Sequence, residues 1–239
     1  MKKPAQFTVG IEVGAEGYRA AWCFDLPGCY TVIRPDADPE ERMRAAILEF
    51  LSWSHNRAAN LVEIRGEVID VIQVVTTGMD VRSGVTSAFF GHDMEPPTHQ
   101  EFPQWANAHD LAADEIRALA RTLPAGLLEM PLGVGRRTLS EIVLHAASMD
   151  LWAANQLAPG HAGTAAPGLD GTLRFLAEAH SRLQQVVCDV SPSIRVRCES
   201  QGDRPAEDWS VRKVMRSSIW HLRYHIAEIR GTLNSIWLA

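Results

Sequence analysis

The chain has 239 residues, 46% of them apolar, and a formal charge of −6 with neutral histidines. That is enough for one large or two small globular domains, and a mildly acidic chain with no dense Lys/Arg run speaks against nucleic acid as the main partner. No apolar run approaches the roughly 20 residues that span a bilayer. The N-terminus lacks the apolar core of a secretory signal, and the four cysteines, Cys23, Cys29, Cys188 and Cys198, form no C-x-x-C pair. A cytoplasmic protein with reduced thiols and no membrane partner is expected.

The first third reads as strands and one helix. QFTVGIEVG (6–14) alternates, with Phe7, Val9, Ile11 and Val13 on one side, the period of a half-buried strand. Glu16-Gly17 turns the chain into a second strand, YRAAWCF (18–24). In DLPGCYT (25–31), Pro27 presets φ and Gly28 supplies the positive φ of a tight turn, and YTVI (30–33) makes a third strand. Residues 36–57 read as a helix with Asp38 as N-cap, Pro39 at the first position and Glu40 and Glu41 at the positive end. Its apolar stripe is Met43, Ile47, Phe50 and Leu51. LVEI (61–64) and VIDVIQVV (68–75) read as further strands. Residues 1–78 are thus expected to form one domain, with 79–100 as linker. The apolar SAFF (87–90) in that linker should pack on a neighbour.

Residues 101–239 read as four helices, at 101–121, 139–158, 169–189 and 209–235, which makes the fold class α+β. Thr138 with Glu141 forms a capping box, Pro159 and Gly160 end the second helix, and Asp208 is a candidate cap for the last. No strand is expected inside 139–158 or 209–232. The second connection, about ten residues, is long for a simple hairpin and fits a bundle with one crossover.

Among nine histidines, His221 and His225 stand four apart in WHLRYHIAEI, on one helix face. Two readings stay open: a hydrogen-bonded or solvated pair, or two arms of a metal site. The zincin pattern H-E-x-x-H is excluded, since Leu222 replaces the glutamate. A third ligand would favour metal, and His145, with Ile142, Met149 and Trp152 at helical spacing around it, is the best placed. His109 is a reserve pocket residue, and His180, beside Glu178 and Arg182, reads as lying on the wet face. His55 ends the first helix, and His92, His99 and His161 fall in loops.

LSEIVLHAASMDLW (139–152) and WSVRKVMRSSIWHLRYHIAEI (209–229) resemble the DinB/YfiT-like superfamily, over about residues 88–235. The resemblance implies a four-helix bundle that holds a divalent metal, zinc or nickel, through one histidine of the second helix and two of the fourth. Here those are His145, His221 and His225. It further implies a metal-dependent thiol S-transferase or hydrolase, because relatives use the metal to activate small thiols such as mycothiol or bacillithiol. The alternative is a non-catalytic protein-binding or regulatory module with a structural or vestigial metal. Glu228 and Asp150 could accept a ligand ring N–H, or be plain exposed carboxylates. Trp220 and Tyr224 could line the pocket or serve as core aromatics. LPGC (26–29), DADPEE (36–41) and FLSWSHN (50–56) resemble the HicB-like fold, a small β-β-β-α-β unit, over about residues 5–75. With no recognisable DNA-binding segment, it reads as a scaffold or dimerisation module, and a homodimer is expected. Cys29 reads as a small buried residue beside the turn.

Overall fold

The computed structural model describes residues 6–55, 68–131, 137–200 and 205–237. Strands β1 (Gln6–Val13), β2 (Arg19–Cys23) and β3 (Tyr30–Ile33) precede helix α1 (Pro39–His55) and strand β4 (Val68–Thr76). The sheet order is β3-β2-β1-β4, with β4 parallel to β1 and the other pairs antiparallel. The strand expected at 61–64 lies outside the described residues. Helix α1 starts where its cap predicts: the Glu40 N–H donates to Asp38 Oδ1 at 2.9 Å. Met43, Ile47 and Phe50 are buried against the sheet. Gly28 has φ +89°, and a Cβ there would lie 2.5 Å from Ile219 Cβ, so the turn needs glycine for its backbone and for its close approach to the last helix.

The half-buried reading of β1 holds for only one face. Phe7, Val9 and Ile11 are buried as expected, but Glu12 on the opposite face is buried too. The segment after β4 folds back over that face. Glu12 Oε1 accepts the Thr77 hydroxyl at 2.6 Å and the Ser87 N–H at 3.0 Å. Ala88 and Phe90 of SAFF join Trp22, Phe24 and Trp220 in one cluster. A buried ion pair fastens this segment: Arg216 Nε and Nη2 reach the two oxygens of Asp93 at 2.9 and 2.8 Å, and Nη2 also reaches the Ala88 carbonyl.

Helices α2 (Glu101–Thr122), α4 (Leu139–Leu157), α5 (Leu169–Asp189) and α6 (Val211–Trp237) form the four-helix bundle, with a short helix α3 (Ala125–Leu128) after α2. The Thr138–Glu141 box closes as expected, with Glu141 N–H on Thr138 Oγ1 at 3.1 Å and Thr138 N–H on Glu141 Oε2 at 2.7 Å. Buried alanines on α4 (Ala146, Ala147, Ala154) let neighbouring helices approach closely. Two expectations fail at the start of α6. Strand β6 (Glu207–Ser210) pairs antiparallel with β5 (Arg195–Cys198), so Trp209 and Ser210 are strand rather than helix. Asp208 is not the cap; it meets the cross-strand Arg195 at 2.9 Å and Arg197 at 3.3 Å. Ser210 Oγ accepts the Lys213 N–H instead. Among the described residues, no helix is long and apolar enough to cross a membrane.

Candidate metal centre

Helix α6 buries Leu222, Ile226 and Ile229 in the bundle. His221 and His225 each sit one position earlier at the edge of that stripe, His221 half-buried and His225 buried. Helix α4 does the same with Ile142, Val143, Ala146 and Ala147, which leaves His145 half-buried at its edge. The two edges face each other. His221 Nε2 lies 3.3 Å from His145 Nε2 and 3.2 Å from His225 Nε2, and ligand atoms of the three residues all fall within 4.8 Å of one another.

These separations fit a shared cation. Two nitrogens about 2.0–2.1 Å from one tetrahedral zinc stand roughly 3.3 Å apart, with ring centres roughly 5 Å apart. The ring centres are 5.0, 5.1 and 4.6 Å apart and the planes meet at 66°, 85° and 82°. Burial holds His221 well below its usual 6.5, with the neighbouring His225 and His145 acting the same way. Burial also lowers His225, against the opposing hydrogen bond and charge of Glu228. Both are therefore neutral at pH 7, as ligation requires. His225 Nδ1 lies 3.0 Å from Glu228 Oε2; a proton on Nδ1 donates to that carboxylate and leaves Nε2 as a lone pair facing the other two rings.

A cavity of about 260 Å³ opens beside the three histidines. Trp152, Trp209, Trp220 and Tyr224 give it aromatic walls, and Ser83–Thr86 close one side. Trp220 and Tyr224 each line the cavity, and Trp220 also packs edge-on against Trp22 at 5.4 Å. Gly84 has φ +77°, and a Cβ there would lie 3.4 Å from the Tyr224 ring.

No family model matches the chain. No curated protein matches it. Among solved structures it is similar to YfiT from Bacillus subtilis, described as a probable metal-dependent hydrolase with an unusual four-helix bundle topology. The identity is 14% and the TM-score 0.48, over 64% of this chain and 95% of that one.

Three expected assignments change. Asp150 lines the cavity, but its carboxylate is 2% exposed and engaged elsewhere: it meets His109 Nε2 at 3.2 Å and faces His180 Nδ1 at 3.7 Å. His109 is no pocket residue; it is fully buried between Trp105 and His180. His180 is not on the wet face; it is 6% exposed, and its Nε2 meets Asp110 Oδ1 at 2.7 Å. The cause is that α5 turns this face toward α2 rather than toward solvent. Burial opposes the charge on Asp150, but His109 and His180 outweigh it and hold the carboxyl at about 2. Burial likewise opposes the His180 imidazolium, and the hydrogen bonds and charge of Asp150 and Asp110 outweigh that, raising it above 6.5. Burial lowers His109, against the charge and hydrogen bond of Asp150. These residues also have ligand atoms within 4.8 Å of one another. However, the rings of His109 and His180 are stacked at 4.0 Å and 25°, too close and too parallel to share one ion in both ring planes. The group is an ionic tie across α2, α4 and α5. Its signal in the sequence was an aspartate inside the apolar run around Ala146–Ala154.

Proposed function

We propose that His145, His221 and His225 hold one divalent cation, zinc or nickel, and that the chain is a metal-dependent enzyme of the DinB/YfiT-like kind. Its reaction is thiol S-transfer or hydrolysis on a small molecule. The observation that carries this reading is the convergence of the three Nε2 atoms at 3.2–3.3 Å steps. Three neutral imidazoles leave a bound divalent ion its full charge, and such an ion acidifies a coordinated water or thiol. The chain's own side chains do the rest. Glu228 fixes the tautomer and orientation of His225. The aromatic walls exclude water and orient an apolar group. The cavity beside the histidines, with no fourth side-chain ligand grouped with them among the described residues, favours chemistry over a structural ion.

The β-β-β-α-β order supports a HicB-like reading of the first unit, used here as a scaffold. Exposed Ile72 and Val74 on β4 support a homodimer, and the four free cysteines fit a cytoplasmic setting. Metal analysis of the purified protein tests the central claim. One equivalent per chain is expected, retained in His99→Ala, where the histidine is exposed, and lost in His221→Ala. Thiol-dependent turnover is then sought with the metal-loaded protein. A His221→Ala protein that keeps its metal would overturn the assignment.

A further inference from the structure

The cavity beside the histidines is small and electrostatically lopsided. About 260 Å³ is space for roughly nine waters, which suits a small molecule and not a polymer. Besides the histidines, four charged side chains line it: Arg137, Asp150, Lys213 and Glu228. Three of them are already engaged. Asp150 faces His109 and His180. Glu228 is the partner of His225 Nδ1. Lys213 Nζ spends its three hydrogens on Glu207 Oε2 and the Ser87 and Asp208 carbonyls, each at 3.1 Å. Arg137 is exposed and has no hydrogen-bond or carboxylate partner among the described residues. The two carboxylates of the cavity are thus matched within the protein, while one guanidinium is left over.

We propose that this cavity takes a small carboxylate with an aromatic or apolar body, its reactive end toward His145, His221 and His225 and its carboxylate paired with the Arg137 guanidinium. The proposal rests on the metal reading above. Arginine suits the task because its planar fork meets both carboxylate oxygens at once. The body of the ligand lies against Trp152, Trp209 and Trp220, whose faces need no polar partner. Ser83–Thr86 also line the cavity, so the segment after β4 shares in shaping the space a ligand meets.

The test uses the full chain loaded with cobalt(II), whose visible bands report a tetrahedral site and whose charge-transfer band reports thiolate coordination. The probes are 4-mercaptobenzoate and 4-mercaptobenzamide, which share a thiol and a ring and differ in charge at the far end. In the wild-type chain the carboxylate should bind about two- to fivefold tighter, the range of an ion pair with an exposed guanidinium. Arg137→Ala should keep the cobalt bands and lose the preference, and Arg137→Lys should keep part of it. Equal affinities in the wild type, a preference that survives Arg137→Ala, or no binding of either probe to cobalt-loaded protein would overturn the carboxylate proposal and leave the metal reading standing. Failure of the wild type to take up cobalt would overturn the metal reading and this proposal with it.

Discussion

Replacing Asp150 with Asn tests the ionic tie across the bundle. Its carboxylate is buried between His109 and His180, and its pKa falls from 3.8 to about 2. At roughly 1.4 kcal/mol for each tenfold change in acidity, that is about 2 kcal/mol of stability. The sign follows from the direction. A depressed carboxylate contributes fully above pH 3.8 and loses its contribution as pH falls through about 2. His180 is raised, so its contribution is full below 6.5 and is lost as pH rises through its folded value. The tie is therefore strongest between pH 3.8 and 6.5. Urea denaturation across that range, with a chelator present so that no metal contributes, should show Asp150→Asn less stable by about 2 kcal/mol. In thermal melts this is a fall of about 4–8 °C for a chain of this size. The alkaline decline should also shrink, because His180 keeps only one of its two carboxylate partners, Asp110. Wild-type stability in the variant, or an unchanged alkaline limb, would refute the reasoning.

Glu228→Ala should weaken metal binding about 10- to 100-fold, because His225 loses the acceptor that orients it; competition with a chromophoric chelator measures this, and an unchanged affinity would count against the role. Proton competition from His221 and His225 should set in only below pH 6.5, because burial holds both rings lower. In the same chelator assay, a loss of affinity at pH 6.5 or above that is steeper than one proton per metal would contradict the burial. Gly28→Ala should cost about 2–4 kcal/mol through its positive φ and its clash with Ile219, read from denaturant midpoints; a loss within about 0.5 kcal/mol would show that the turn yields.

Local rules found most of the elements. The Asp38 cap, the Thr138–Glu141 box and the Gly28 turn act within a few residues, so the sequence alone specifies them. His145 and His221 each sit beside an apolar stripe whose direction helical period reveals, and their Nε2 atoms lie 3.3 Å apart. The remaining features depend on partners distant in the chain. Nothing near Glu12 announces that Ser87 will cover it. His180 looked solvated beside Glu178 and Arg182, yet Asp110, 70 residues away, meets it. Strand β6 is hidden because, Trp209 apart, EDWS has little strand propensity; cross-strand arginines hold it.

Helix α6 is in use around nearly its whole circumference. Met215 and Ile219 belong to the cluster that includes the sheet, Trp220 meets Trp22 and Tyr30, and Leu222 and Ile226 face the bundle. Arg223 lies over Phe50 and Trp53 of α1. The bundle is consequently no detachable cassette. A chain cut ahead of residue 101 would expose Met215, Ile219 and Trp220 and strip the Ser83–Thr86 wall from the cavity. Without its sheet, the bundle would carry a contiguous apolar patch at Met215, Ile219 and Trp220, the kind of surface that drives association.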